Sequence, residues 1–89
     1  MTISVDQNSR CSVYGVVTVN STTNNAVRAL YGGYFYALHV AGGGNSTGLC
    51  AENGGTIAYD SEDIGALSKY YTATGGRIYS GAQTSIPKY

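Results

Sequence analysis

From Ala26 to Ser80 the chain is cut into short apolar pieces by glycine-rich turns, and this punctuation constrains the fold more than any other feature. The bulky aliphatics Val27, Leu38, Leu49, Ile57, Leu67 and Ile78 follow one another at spacings of 11, 11, 8, 10 and 11 residues. Between them stand Gly32-Gly33, Gly42-Gly43-Gly44-Asn45, Asn53-Gly54-Gly55 and Gly75-Gly76. Glycine supplies the backbone freedom that tight turns require and weakens a helix that contains it. Six short strands at near-regular spacing make a degenerate internal repeat, which points to a quasi-one-dimensional β architecture rather than a closed globule. Strand alternation puts Val27/Ala29, Leu38/Val40, Leu49/Ala51 and Ile57/Tyr59 on an inward face, with Arg28, His39, Cys50 and Ala58 outward. One such face is too narrow to close a core within a single chain of 89 residues. The expectation is an interchain core of Val27, Leu38, Val40, Leu49, Ile57, Leu67 and Ile78, completed by stacking successive turns and neighbouring chains.

The chain reads as one β-rich domain over residues 1–89, with N-terminal strands and a loop (1–25), the short-strand repeats (26–80) and a C-terminal tail (81–89). Cys11–Asn20 alternates as a strand does, with Val13, Gly15, Val17 and Val19 on one side and Ser12, Tyr14, Val16 and Thr18 on the other. Thr2–Val5 reads as a short edge strand and Asn20–Asn25 as a polar loop. Ser61-Glu62-Asp63 also resembles a helix N-terminus, running through Ile64, Ala66 and Leu67 to Gly75-Gly76. Asn25–Tyr31 is weakly helical. In the tail, Pro87 excludes a central strand, and Ile86 and Tyr89 are suited to docking on a neighbouring surface.

Composition narrows the function. Five basic residues balance five acidic ones, and charged residues are 11% of the chain against a usual quarter or so. A nucleic-acid binder or polybasic membrane binder needs a basic face that this chain lacks. No apolar run approaches the length of a membrane span. Met1 is followed by polar residues and not by a signal peptide, so the expectation is cytoplasmic synthesis with a final location in a virion or outside the cell. Cys11 and Cys50 lack the spacing of a zinc or redox motif and read as two free thiols, with a Cys11–Cys50 bridge as the alternative.

Candidate sites are few. A single histidine excludes a dyad argued from spacing, and no catalytic residue, metal site or cofactor is expected. His39 reads as exposed or hydrogen-bonded; facing inward, three copies could instead meet a metal on a trimer axis. Asp60, Glu62 and Asp63 cluster without the order of a calcium loop and read as a solvated helix start beside a turn. Asn20-Ser21-Thr22 and Asn45-Ser46-Thr47 match glycosylation sequons. The tyrosines are more informative. Tyr34 and Tyr36 in one cluster, and Tyr70 and Tyr71 in another, are candidates for stacking on sugar rings or a partner, against the plainer role of packing a small core or an interface.

The stretch from Tyr36-Ala37-Leu38-His39-Val40-Ala41 through Gly48-Leu49-Cys50-Ala51-Glu52-Asn53-Gly54-Gly55-Thr56-Ile57-Ala58-Tyr59 resembles repeats of bacteriophage tail fibres and tailspikes. Val13-Tyr14-Gly15-Val16 is similar to strands of such shafts, and the likeness extends over about residues 26–80. It implies a homotrimer whose chains wind about a common axis. The expected fold is therefore all-β, a trimeric β-helix or β-prism, with a small antiparallel β-sandwich carrying one short helix as the alternative. The expected function is a non-enzymatic structural subunit of a virus particle (a fibre, spike or head-decoration protein), contacting other virion proteins and host-surface glycan. The alternatives are a monomeric glycan-binding module using exposed tyrosines and a self-assembling extracellular filament subunit.

Overall fold

The computed structural model describes residues 2–81. Its strands are β1 (Ile3–Val5), β2 (Arg10–Thr18), β3 (Asn25–Leu30), β4 (Tyr34–Glu52), β5 (Thr56–Ala73) and β6 (Arg77–Ser80). Every pairing is parallel: β1 with β3, β3 with β4, β2 with β4, β4 with β5, and β5 with β6. The chain is a β-solenoid of about four turns. Among the described residues there is no helix. The segment with helix-like start signals, Ser61 to Ala73, lies inside β5, and Asn25–Leu30 is β3. Neither apolar pattern there commits to a helical period, and register pairing with the strands on each side decides the outcome. The parallel pairing also rules out the antiparallel sandwich.

Register pairs fix the coil length. Ile3 lies beside Val27, Val27 beside Leu49, and Leu49 beside Tyr70, offsets of 24, 22 and 21 residues. The 11-residue spacing in the sequence is therefore half a coil, because each coil crosses the interior more than once. The coils span 3–24, 25–46, 47–67 and 68–81. Each has a first face (3–5, 25–30, 47–52 and 68–73) and a second (10–13, 34–37, 56–59 and 77–80). A third face (16–18, 39–42 and 61–64) completes the first three coils.

A recurring corner joins the first face to the second. Gln7-Asn8, Tyr31-Gly32, Asn53-Gly54 and Thr74-Gly75 each place two successive residues at positive φ, between 47° and 79°. The N–H of the fourth residue of the turn donates to the carbonyl of the first: Ser9 to Asp6, Gly33 to Leu30, Gly55 to Glu52 and Gly76 to Ala73, at 2.9 to 3.0 Å. This is the geometry of a type I′ turn, which explains the Gly and Asn at these positions. The glycine that follows has a separate reason. A Cβ on Gly55 would lie 2.0 Å from the carbonyl oxygen of Ala29, and one on Gly76 1.9 Å from that of Ala51. Only a residue without a side chain lets adjacent coils close at this corner.

Inside, side chains stack in rows along the solenoid axis: Ile3, Val27, Leu49, Tyr70; Cys11, Phe35, Ile57, Ile78; and Val13, Ala37, Tyr59, Ser80. Val27, Phe35, Val40, Leu49, Ile57 and Ile78 have no exposed surface. Burying each side chain of this kind contributes about 1.5–3 kcal/mol. The core thus closes within one chain, contrary to the interchain core expected from the sequence. Three faces wrap around the same interior, which a reading of one face at a time does not reveal. The physical reason the sequence offered for a trimer goes with it. Of the seven residues assigned to that core, Leu38 and Leu67 are outside, at 45% and 94% exposure. Leu38 sits where the chain bends from the second face to the third: Ala37 and Val40 point in, and Leu38 and His39 between them point out. Leu67 lies on the opposite corner, after Gly65.

The segments 19–24, 43–46 and 65–67 form that other corner, which is pinned by Asn45. Its Oδ1 accepts from the Thr22 N–H at 3.1 Å and the Thr22 hydroxyl at 2.9 Å. Its Nδ2 donates to the carbonyls of Val19 at 3.0 Å and Gly65 at 3.1 Å. One buried amide therefore ties three successive coils together. With Asn45 only 2% exposed and both amide protons used, its sequon is not an acceptor in the folded protein. Residues 82–89, including Ile86, Pro87 and Tyr89, lie outside the described residues.

Candidate functional site

Parallel stacking turns sequence-distant residues into neighbours on the outer surface where the second face bends into the third. Along β2, Ser12, Tyr14, Val16 and Thr18 are all exposed, following the alternation expected for this strand. A bulge between Val13 and Val16 adds one residue relative to β4 and pushes Tyr14 outward to 86% exposure. The Tyr14 and Tyr36 rings meet with centroids 5.6 Å apart, tilted by 48°. The Tyr36 hydroxyl donates to Asp60 Oδ2 at 2.9 Å, one coil further along. That bond and the adjacent carboxylate raise the Tyr36 pKa, so the phenol keeps its proton at neutral pH. Beside them His39 Nδ1 and Ser61 Oγ are 2.7 Å apart. On the other side the Arg10 guanidinium lies 4.4 Å from the centroid of the Tyr34 ring. Exposed Val16 and Leu38 complete the strip.

The strip therefore joins two tilted aromatic rings, two aliphatic side chains and hydrogen-bonding groups on three coils of a parallel sheet. Such a surface offers apolar faces and polar edges together, with little conformational freedom to lose on binding.

The four tyrosines singled out from sequence do not form one site. Tyr34 and Tyr36 lie on this strip. Tyr70 points into the interior, where its hydroxyl donates to Glu62 Oε2 and lies 3.5 Å from the Tyr59 hydroxyl. It is a core residue and not a candidate contact for glycan. Tyr71 stands on the first face, stacked after Cys50, and is 49% exposed. The residues missed as a group are Tyr14, Asp60 and Ser61. Alternation sorts side chains along each strand, but their proximity needs the register offset of about one coil.

The acidic cluster separates for the same reason. Asp60 faces out toward Tyr36, whereas Glu62 occupies the inward row after Val17 and Val40. Burial pushes the Glu62 carboxyl up, but the Tyr70 hydroxyl, the Ile64 N–H at 2.9 Å and Lys69 at 3.4 Å together outweigh burial and hold its pKa below the ordinary value. The phenols of Tyr59 and Tyr70 are raised, first by burial. This network terminates the core in satisfied polar groups. His39 points outward to Ser61 and not toward any axis, which removes the inward geometry that a shared metal requires.

Both cysteines are free thiols. Cys11 points inward on the second face, and Cys50 lies in the outward row of the first face, so the chain does not bridge them. Cys50 points outward as strand alternation implies, yet it is buried, at 3% exposure. Its thiol is pushed up to about 12 by burial and by the carboxylate of Glu52, whose Oε1 lies 3.3 Å from Sγ. A shallow groove of about 410 Å³ lines the far corner between Gly44–Ser46 and Gly65–Leu67.

Fold and surface together define a short parallel β-solenoid with an aromatic, hydrogen-bonding flank. Comparison with models of protein families, with curated proteins and with solved structures returned no match for this chain.

Proposed function

We propose that this chain is a non-enzymatic attachment module of a virus particle, a short solenoid that holds a neutral saccharide of the host surface against the bend between its second and third faces. The observation that carries the saccharide reading is the Tyr14–Tyr36 pair with Asp60 fixed on the Tyr36 hydroxyl. A pyranose ring has an apolar C–H face that packs on tyrosine and a rim of hydroxyls that Asp60, Ser61 and His39 are placed to meet. The near absence of net charge favours a neutral sugar over a sulfated or nucleic-acid polymer. The likeness of residues 36–59 to fibre and tailspike repeats supports the virion setting, and the β-solenoid is an architecture consistent with that likeness.

A single exposed strip of this size binds one saccharide unit weakly, with a Kd on the order of 1 mM, so attachment depends on multiple copies. The test is a printed array of neutral, sialylated and sulfated oligosaccharides and bacterial polysaccharides, probed with multivalent protein. Binding to neutral sugars that Tyr14→Ala abolishes and Leu67→Ser preserves is the expected result. Absence of any binding, or binding indifferent to Tyr14, refutes the reading. Tyr14 is so exposed that its removal should change stability by no more than about 0.5 kcal/mol, so a loss of binding will not reflect unfolding.

A further inference from the structure

The two ends of the solenoid differ. In the inward rows the second and third members are sealed: Val27, Leu49, Phe35, Ile57, Ala37 and Val40 have no exposed surface. The first members Ile3, Cys11, Val13 and Val17 are only partly buried, because among the described residues no side chain stacks above them; Val5 in the same coil is buried. At the opposite end the rows finish, among the described residues, in Tyr70, Ser80 and Glu62, and Ile78 is sealed. The N-terminal end is thus an apolar cross-section of the core. Its rim is also unpaired: among the described residues β1 bonds only β3 and β2 only β4, leaving one edge of each strand open.

Exposed edges are normally blunted by lysine, proline or inward-pointing charge. Here β1 and β2 contain none of these; β1 is only three residues long, and the bulge between Val13 and Val16 leaves Arg10–Val13 and Val16–Thr18 as regular edge on either side of it. The one charge, Arg10, is on the outer surface against Tyr34.

We propose that this end is a self-association surface, on which two copies of the chain meet N-terminal end to N-terminal end. Turning one copy end for end opposes the coil directions, so the two rims pair as antiparallel strands. The contact is isologous and satisfies both ends at once, which closes the assembly at two. A head-to-tail contact would instead set the apolar end against the Glu62 and Tyr70 network.

Area argues for this occupant. A coil of about 22 residues at ~3.3 Å each has a perimeter of roughly 73 Å, which fits the 27 × 23 Å cross-section and leaves 20 Å for the axis. An outline of that perimeter encloses about 400 Å² at most, so the contact buries about 800 Å² in total, the size of a weak, transient interface. A neutral chain adds no net repulsion. The proposal stands apart from the saccharide reading, since it concerns the end of the solenoid and not its flank.

The experiment is a mass measurement by sedimentation from about 1 μM to 1 mM, the range over which an interface of this size dissociates. In parallel, iodoacetamide labelling of Cys11 is followed by mass spectrometry across the same series. The expected result is a monomer–dimer transition with Cys11 labelling slowed at least about tenfold in the dimer, because its row is then sealed. Ile3→Lys should abolish the dimer, and Leu67→Lys should leave it intact. A monomer at 1 mM, a trimer, or an open-ended series of larger species overturns the proposal. So does a dimer in which Cys11 labels as fast as in the monomer, a result that needs no variant to fold. Saccharide binding lost with the dimer intact would count only against the flank reading.

Discussion

Replacing Asn45 with alanine removes four hydrogen bonds at one position. The Thr22 N–H and the carbonyls of Val19 and Gly65 lose this partner, and the Thr22 hydroxyl keeps its longer contact of 3.4 Å to the Asn24 carbonyl. A buried polar group left unsatisfied costs about 1–3 kcal/mol. The corner opens onto the groove beside Gly44 and Gly65, where water reaches part of the exposed backbone, so about 1 kcal/mol for each of three groups is the appropriate figure. The predicted loss is about 3–4 kcal/mol, a large share of the roughly 4–13 kcal/mol that a domain of this length holds. In urea, with a slope near ~1 kcal/mol/M, the midpoint should fall by about 3 M, read by circular dichroism. Asn20→Ala is the matched control. Its side chain accepts one exposed bond, from the Gly43 N–H at 2.9 Å, and its loss should cost no more than about 0.5 kcal/mol. If the two variants unfold at the same urea concentration, Asn45 does not tie the coils together as argued.

Three further outcomes follow from the same structure. Gly55→Ala should destabilise by about 3 kcal/mol or more because its Cβ meets a backbone carbonyl, whereas Gly43→Ala, with nothing within 4 Å, should be far milder; thermal melts of both decide it. Glu62 titrates below its ordinary value of 4.5 in the fold, so its stabilisation is present above that pH and is lost as pH falls through the folded pKa. Urea midpoints of the wild type should therefore drop on acidification below about pH 4.5 by more than those of Glu62→Gln. Cys50, sealed and with its thiol pushed up to about 12, should resist iodoacetamide at pH 8 in the folded monomer while Cys11 reacts, and both should react in denaturant.

Much of the architecture was legible in the glycines and in strand alternation. Val27, Leu49, Ile57 and Ile78 point inward as their spacing implies, and the glycine pairs mark the type I′ corners. Leu38 and Leu67 were misplaced because simple alternation does not survive a corner: between Ala37 and Val40 two consecutive residues face out. Cys50 points outward as alternation implies, but its burial comes from its place in a row between Arg28 and Tyr71, which alternation along one strand does not reveal. The strip was half legible. Tyr34 and Tyr36 stand out in sequence, and alternation groups Tyr14 with Ser12, Val16 and Thr18 without saying which side faces out. What brings Tyr14, Tyr36 and Asp60 together is a parallel offset of about one coil, a long-range property that no local pattern of side chains encodes.

The claim that joins fold to function is that the bend between the second and third faces is where saccharide is held, and amide-resolved NMR titration with the strongest neutral ligand from the array tests it most directly. Shifts concentrated at Tyr14, Val16, Tyr36, Leu38, Asp60 and Ser61, residues from three coils moving at one concentration, are the predicted result. Shifts confined to the corner groove at Gly44–Ser46 and Gly65–Leu67, or spread over the first face around Tyr71, would contradict it.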